Sequence, residues 1–328
     1  MRRTAATIFL ALSVLLLPAA PIAGIQAMEL ELAVRAVPLN HTEPTQTQIG
    51  RLTWRGGLEI TSPYNRFGGL SGLLISPDGA HLTAIGDAGF WIVARIVHDA
   101  NGFLTGLAES QISRLRGFDG KPLYGKTLQD AEAMTQMADG SIVVAYERNH
   151  RIWRYAPGDE PLRGKAEALP VPADLANLPD NGGIEALVTL DDDSILALVE
   201  GEDGEPLSPA FLWRGGAWAR LAYERYGNYH PSGAARLPNG DLLILERRYT
   251  LLEGLGIRLV RLPAAAVAAG AILQPVEVAR LLPPLTIDNM EAIDVVRSER
   301  GETLVYLLSD DNYNFLQRTL LLMFAFEE

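Results

Sequence analysis

The chain has 328 residues, of which 48% are apolar and 21% charged, a composition typical of a globular protein with a sizeable core. Its 40 acidic residues outnumber 28 Lys and Arg, so the net charge is −12, which argues against a nucleic-acid backbone as the main partner. The absence of cysteine excludes a thiol nucleophile, a thiolate metal site and a disulfide framework.

Residues 1–27 have the features of a secretory signal peptide. Arg2 and Arg3 supply positive charge, residues 5–17 form a short apolar stretch, and small residues follow up to Ala27. The apolar stretch is too short for a comfortable membrane span, although an uncleaved anchor is the alternative. We therefore expect a periplasmic or secreted bacterial protein with no membrane attachment after cleavage.

The remainder of the chain divides into a short lead-in and a long body. Residues 28–50 are a polar lead-in with one alternating stretch, and the body starts near Arg51. No low-complexity linker interrupts residues 51–328, which favours a single domain over that range.

A unit of strands recurs five times within this body. Each unit opens with a polar residue, continues with an apolar strand, a turn and a second apolar strand, and reaches an acidic residue before a third strand. The opening residues are Ser71, Glu132, Glu185, Ser232 and Glu291, and the acidic residues are Asp87, Glu147, Glu200, Glu246 and Asp310. A period of roughly 45–60 residues with about four strands per unit is typical of propeller blades.

The second and third strands of each unit are short apolar runs, rich in β-branched and aromatic residues and bounded by Gly, Pro, Asn and Asp. The second strands are predicted at 81–85, 141–146, 194–199, 241–245 and 304–308, and the third at 90–96, 151–155, 210–213, 256–262 and 319–324.

These units predict an all-β propeller, most simply with six blades of four-stranded antiparallel sheets. Five blades come from the units, and residues 30–60 would supply the sixth, closed by pairing the two chain ends; five or seven blades are the alternatives. A large β-sandwich would not account for the repeated acidic residues. A parallel α/β fold would need amphipathic crossover helices that the sequence lacks.

The acidic residues of separate blades would converge at one mouth of the central channel. Crowded carboxylates repel one another, and protonation, Arg and Lys partners or a bound cation relieves the repulsion. Oxygen ligands without His or Cys select calcium, which we expect as the cofactor. The predicted metal ligands are Asp87, Asp130, Glu147, Glu200, Glu246, Asn289 and Asp310. The alternative is that each acid only caps a strand or hydrogen-bonds a neighbouring blade.

The same mouth would contain the catalytic and substrate-binding residues. Glu132, Glu185 and Glu291 are the predicted catalytic carboxylates, because one of them could take a proton from a metal-activated water. Basic groups beside the acids are the predicted ligands of an anionic ester substrate, with salt bridging as the alternative role. These groups are Lys126, Arg148, Arg247 and His230.

Several segments together resemble the phytase-like family of bacterial proteins with esterase-like activity. They lie at 69–73, 86–89, 130–133, 181–187, 288–293 and 308–312, within a resemblance that covers roughly residues 50–326. The resemblance implies a secreted β-propeller and calcium-assisted hydrolysis of a phosphate or other ester. The chain departs from the family at Ala88, where the family's Ser-Asp-Arg-Gly has Arg, and at Ala133 and Ala292, where the family has Gly.

The sequence therefore predicts an exported calcium-dependent hydrolase acting on a small anionic ester. A propeller that binds a ligand or protein without catalysis, and a lactonase-type hydrolase, are the alternatives. Convergence of Arg148, Arg247 and Lys126 on the metal site would favour an anionic ester over a lactone.

Overall fold

The computed structural model describes residues 27–158 and 164–328. The predicted signal peptide therefore lies outside the described residues, apart from Ala27. Within these two ranges no helix is both long and apolar enough to cross a bilayer.

The described chain is built almost entirely of strands, with one short helix, α1 (Lys126–Gln129), and 3₁₀ turns at Ala173–Asn177 and Ala264–Ala266. The strands in chain order are β1 (Met28–Glu29), β2 (Ala33–Ala36), β3 (Gln48–Ile49), β4 (Leu52–Thr61), β5 (Leu70–Ile75), β6 (His81–Gly86), β7 (Phe90–His98), β8 (Leu104–Arg114), β9 (Ala131–Gln136), β10 (Ile142–Tyr146), β11 (Arg151–Tyr155), β12 (Ala166–Leu169), β13 (Ile184–Thr189), β14 (Ile195–Val199), β15 (Leu207–Arg214), β16 (Ala217–Glu224), β17 (His230–Arg236), β18 (Leu242–Thr250), β19 (Gly254–Leu262), β20 (Ile272–Leu273), β21 (Val276–Leu281), β22 (Asn289–Arg297), β23 (Thr303–Asp310) and β24 (Thr319–Phe326).

The strands form five sheets, which are the blades of a β-propeller. From the channel outward, blade 1 is β5-β6-β7-β8-β1, blade 2 is β9-β10-β11-β12, blade 3 is β13-β14-β15-β16-β20, blade 4 is β17-β18-β19-β21, and blade 5 is β22-β23-β24-β4-β2 with β3 beside β4. The innermost strands contact one another in a ring, β5 to β9, β9 to β13, β13 to β17, β17 to β22 and β22 to β5.

The prediction of six blades is wrong, because residues 30–60 do not form a sheet of their own. Strand β4 instead pairs with the C-terminal strand β24, with Leu58 opposite Leu321, and β2 covers its other edge. The two chain ends do pair as expected, but they complete blade 5. The segment has one long strand and two short ones, too few for a separate four-stranded blade.

The core lies between neighbouring blades. Five apolar clusters fill the five interfaces between blades 1 and 5, 5 and 4, 4 and 3, 3 and 2, and 2 and 1. In β10, Val143 and Ala145 belong to the interface with blade 3, whereas Val144 and Tyr146 belong to that with blade 1. Both faces of each blade are thus buried, which explains why the second strands are continuous apolar runs.

Tight turns connect the first and second strands of the blades at the face opposite the site. In blade 1 the Asp78 carboxylate accepts from the Ala80 amide (3.0 Å), and Gly79 adopts a φ of 71°. Asp139-Gly140 and Asn239-Gly240 repeat this arrangement. The Asx side chain and the left-handed glycine are the usual chemistry of such turns.

Candidate metal and ligand site

Each innermost strand carries a one-residue β-bulge close to its start. In blade 3, Ile184 pairs with Val199 and Ala186 with Leu198, so Glu185 has no partner on β14. The same shift occurs in the other four blades. The five bulged residues are Ser71, Glu132, Glu185, Ser232 and Glu291. A bulge leaves its extra residue outside the ladder and redirects the side chain, a device common beside functional sites.

The bulges bring carboxylates from several blades together at the mouth of the channel. The carboxyl group of Glu132 interacts electrostatically with Glu147 and Asp130 of its own blade and with Glu291 of blade 5. That of Glu185 interacts with Glu132, Glu147 and Glu291. The expected convergence at one mouth is therefore present for these residues.

Three carboxylates of blade 2 lie close enough to share one ion. Oxygens of Asp130, Glu132 and Glu147 are all within 4.8 Å of one another. Asp130 also forms an ion pair with Arg148 through one oxygen, and Glu147 accepts a hydrogen bond from the Gly183 amide at 2.7 Å. The three groups offer only hard oxygen donors, which suit a divalent cation such as calcium.

Three glutamates at this mouth, Glu132, Glu147 and Glu185, bind protons more tightly than ordinary carboxyl groups. Burial in the channel wall, reinforced by neighbouring carboxylates, raises the pKa of Glu132 and of Glu185 well above the usual range. Burial also raises the pKa of Glu147, while the Gly183 amide and a hydrogen bond with Glu185 oppose the rise. Glu147 and Glu185 thus form a carboxyl pair that can share a proton.

On the opposite side of the channel, the third bulged glutamate is neutralised by the protein. Glu291 Oε1 lies 3.1 Å from Arg247 Nη2 and accepts a hydrogen bond from the Asn289 side chain at 2.8 Å. Burial raises the pKa of Glu291, and Arg247 opposes this. Arg247 Nε is buried without a hydrogen-bond partner among the described residues, whereas the side chain as a whole is 26% exposed and lines a cavity.

Asp87 and Asp310 complete the mouth between blades 1 and 5. Burial, followed by the charge of Asp130, raises the pKa of Asp87 to about 6. Burial raises the pKa of Asp310 to about 8, although the Asn312 amide donates to it at 2.7 Å. Asp87 Oδ1 is buried and has no hydrogen-bond partner in the described part of the chain. A buried carboxylate oxygen that has no hydrogen-bond partner and lies beside other acids favours the binding of a cation or a proton.

A glycine is required next to Asp87. A Cβ on Gly69 would lie 2.1 Å from Asp87 Oδ1, and the residue has a φ of 62°. The Gly69 amide also donates to Asp311 at 3.2 Å. The close approach of this backbone explains the glycine pair that precedes the first bulge.

Two residues of this mouth were not among the predicted site residues. Asp311 accepts hydrogen bonds from Tyr313 N (3.0 Å) and Thr319 Oγ1 (3.0 Å). The Tyr313 hydroxyl donates to the Gly68 carbonyl at 3.1 Å, and burial together with Asp87 and Asp310 raises its pKa. The run Asp310-Asp311-Asn312-Tyr313 was the available signal, but sequence alone did not show which members face the channel.

Glu246 does not join the cluster, in contrast to the prediction that it is a metal ligand. It is fully buried, its Oε2 lies 2.6 Å from Arg258 Nη1, and its Oε1 accepts from the Tyr223 hydroxyl at 2.7 Å. Arg258 also forms an ion pair with Glu277, in which Nε lies 2.7 Å from Oε2. Both oxygens of Glu246 are committed to this network, so it stabilises the packing of blades 3 and 4.

His230 and Lys126 also lie apart from the three-carboxylate cluster. The His230 ring contacts Asp203 at 2.9 Å and the Glu200 carbonyl at 2.9 Å, next to Arg225 at 2.7 Å. Lys126 is exposed at the start of α1, and its positive charge opposes the rise in the pKa of Asp87. The Glu200 side chain remains within electrostatic reach of Glu185 and Glu291.

A cavity of about 550 Å³ opens beside the Arg247 side of the cluster, between blades 4 and 5. Its walls include Arg247, Tyr249, Leu255, Asn289, Asn312 and Leu316. Below the glutamates the channel contains only a small cavity of about 10 Å³, which is lined by Glu185, Glu291 and small or apolar residues. A separate cavity of about 530 Å³ lies at the other end of the channel and has none of these carboxylates in its wall. The cavity between blades 4 and 5 is therefore the larger space that adjoins Arg247, Asn289 and Glu291.

Fold and site together define a five-bladed β-propeller with an oxygen-rich centre at one mouth of its channel. The chain belongs to the phytase-like family described as esterase-like activity of phytase, whose model matches residues 65–313. This match confirms the resemblance drawn from the sequence motifs. A search among curated proteins gives no match.

Solved structures with related architecture are distant. An α-L-arabinofuranosidase from Podospora anserina is 11% identical with a TM-score of 0.48, and covers 85% of this chain and 98% of its own. Virginiamycin B lyase from Staphylococcus aureus is 12% identical with a TM-score of 0.41 (89% and 99%). The allergen Mala s 1 from Malassezia sympodialis is 12% identical with a TM-score of 0.42 (85% and 91%). Similarity at this level carries no information about chemistry.

Proposed function

We propose that this protein is an exported, calcium-dependent hydrolase that acts on a small anionic ester at the carboxylate-lined mouth. The observation that carries the proposal is the shared cluster of Asp130, Glu132 and Glu147, with oxygens within 4.8 Å of one another. Family membership supports ester hydrolysis as the reaction class, and the predicted signal at residues 1–27 supports export.

Calcium fits this donor set. Asp130, Glu132 and Glu147 would hold the ion, and the unpartnered Asp87 Oδ1 provides a further oxygen at the same mouth. Burial, reinforced by neighbouring carboxylates, raises the pKa of Asp87 and of Glu132, and a cation bound beside them would oppose both effects. A bound divalent ion supplies Lewis acidity and lowers the pKa of a water molecule.

The remaining residues divide the work of binding and proton transfer. Arg247, whose partly exposed side chain lines the adjoining cavity, would bind the anionic group of the ester. Glu185 would accept the proton of the attacking water, because burial and neighbouring carboxylates raise its pKa above the usual range, which makes it a stronger base, and Glu147 can relay the proton. Glu291 would keep Arg247 in place through the 3.1 Å ion pair.

Two arginines beside the cluster favour an anionic ester over a neutral lactone. Arg148 pairs with Asp130, and Arg247 pairs with Glu291. A lactone would gain nothing from two guanidinium groups at the mouth, whereas a phosphate or carboxylate matches their planar donors.

The test is release of p-nitrophenol from p-nitrophenyl phosphate and p-nitrophenyl acetate, with calcium and with a chelator. We expect turnover that a chelator abolishes and calcium restores, and that falls at least 100-fold in Glu185→Gln. Glu302→Gln, which alters an ion pair with Arg55 away from the channel, is the matched control and should keep full activity. If the turnover rate is unchanged by the chelator and is also unchanged in Glu185→Gln, the proposal is ruled out.

A further inference from the structure

The most exposed large apolar side chains of the described residues lie on two loops. Both loops, with their flanking strand ends, contribute residues to the wall of the cavity between blades 4 and 5. Leu251 and Leu252 are 94% and 98% exposed at the tip of the β18–β19 hairpin. Phe315 and Leu316 are 95% and 75% exposed in the loop between β23 and β24. Single exposed apolar residues are ordinary, but a group of them marks a surface that binds something. We call these four residues the apolar rim.

The apolar rim borders the cavity that contains Arg247. Residues two apart on a strand face the same side, so Arg247 and Tyr249 of β18 both line the cavity. Leu255 is the cross-strand partner of Tyr249 and lines it too. Leu316 lines the facing wall. The wall thus combines Arg247 and other polar groups with the side chains of Tyr249, Leu255 and Leu316, and these three lie on the hairpin and the loop that carry the apolar rim.

Both loops are held in place. In the hairpin, Arg248 pairs with Glu253 at 2.7 Å, and the Glu253 amide donates to Thr250 Oγ1 at 3.0 Å. In the other loop, the amides of Leu316 and Gln317 donate to the Asn314 side chain (3.1 Å) and carbonyl (2.9 Å). The loops thus present their leucines and phenylalanine to solvent instead of folding them inward.

We infer that the substrate is an amphiphile: an ester whose anionic group binds Arg247 and whose hydrocarbon chain lies along the cavity wall and over the apolar rim. The inference rests on the proposed function and narrows its substrate class. A charged group at the base and an apolar surface leading outward match a molecule with one anionic end and one aliphatic end. A small polar ester would leave the rim without a partner.

Calorimetric titration with ethyl, butyl and hexyl phosphate in the presence of calcium, carried out in the Glu185→Gln background so that the esters are not hydrolysed during the measurement, tests this directly. Burial of one CH₂ is worth about 0.8 kcal/mol, so affinity should rise about two- to fourfold for each added CH₂. In Leu251→Ser/Leu252→Ser and in Phe315→Ser/Leu316→Ser this rise should flatten, while ethyl phosphate binds as in the parent. Val276→Ser, which removes a 67% exposed side chain on the outer strand of blade 4, should keep the full dependence on chain length.

The outcomes separate the two proposals. Equal affinity for all three phosphates overturns the amphiphile and leaves the anionic-ester site intact. Failure of all three to bind, ethyl phosphate included, overturns the anionic-ester site and the inference with it. A rim variant that changes the oligomeric state in sedimentation, without changing the chain-length dependence, overturns the inference in favour of a contact between copies of the chain. Melting temperatures and circular dichroism spectra confirm that the variants are folded.

Discussion

Glu147 and Glu246 stand at the same place in two blades, directly after or at the end of the apolar core of a second strand, yet they do opposite things. Glu246 is fully buried and gives both oxygens to Arg258 and Tyr223. Glu147 lies beside Asp130 and Glu132 at the channel mouth, and within the described residues no ion pair joins it to a cationic side chain. The repeat places a carboxylate at the same position in both blades, and the residues around it decide whether the protein neutralises it. In blade 4 this is done by Arg258, the cross-strand partner of Glu246.

The difference separates structural from functional charge. A buried carboxylate that is paired and fully hydrogen-bonded contributes to packing, and removing one partner leaves the other charge stranded. Carboxylates that crowd together without a cationic partner raise one another's pKa and favour any cation that enters. Four predictions test this division.

The largest effect is expected for Glu246→Gln. Arg258 would lose a buried partner and keep only Glu277, so the free energy of unfolding should fall by about 3 kcal/mol. The gain in stability from calcium should equal that of the parent. Thermal unfolding with calcium and with a chelator measures both quantities. A small loss of stability combined with a lost calcium effect would assign Glu246 to the metal site after all.

Glu132→Gln should act in the opposite sense. Removing one of the crowded charges relieves repulsion, so the variant should be at least as stable as the parent in chelator. Calcium at 100 times its Kd should stabilise the parent by about 2.7 kcal/mol and the variant by less than about 1 kcal/mol. If the variant gains as much melting temperature from calcium as the parent does, Glu132 is not a ligand.

The dependence of stability on pH should weaken when calcium is bound. The pKa of Asp87 is raised to about 6 and that of Asp310 to about 8. Their protonated forms therefore stabilise the fold fully below about pH 4, and this contribution is lost as the pH rises through about 6 and about 8. Chelated protein should lose stability between pH 4 and pH 8, and saturating calcium should remove most of that slope. Urea unfolding across this range is the measurement, and a rise in stability with pH in chelator would contradict it.

The smallest effect concerns anion binding. Arg247→Met should weaken inorganic phosphate binding about tenfold, because one charge-assisted contact of about 1.4 kcal/mol is lost. Arg35→Met, at an exposed ion pair with Glu59, is the control and should bind phosphate as the parent does. Equal phosphate affinity in both variants would place the anion elsewhere.

Much of the architecture was predictable because propeller blades repeat. The second strands predicted at 141–146 and 194–199 appear at Ile142–Tyr146 and Ile195–Val199, and the third strand predicted at 151–155 appears at Arg151–Tyr155. Their continuous apolar runs reflect burial on both faces. The number of blades was not predictable, since β4 could begin a new sheet or complete an old one, and only its pairing with β24 decides.

The site was predictable in part for a related reason. Glu132, Glu185 and Glu291 could be placed at blade openings from the repeat, but the bulges that redirect them into the channel depend on register between strands. Register also sets which side chain lies opposite a carboxylate, and the pairing of Arg258 with Glu246 across the ladder separates Glu246 from Glu147. The importance of Tyr313 was missed because its role depends on a loop that folds back to Gly68.

The central claim is that Asp130, Glu132 and Glu147, with Asp87 at the same mouth, hold a divalent ion, and proton release on calcium binding tests it most directly. Groups with raised pKa must lose protons when the ion binds. Calorimetric titration with calcium at pH 7, in two buffers of different ionisation enthalpy, should give different observed enthalpies for the parent and no binding for Glu132→Gln. Equal enthalpies in both buffers, or unchanged binding by Glu132→Gln, would contradict the account.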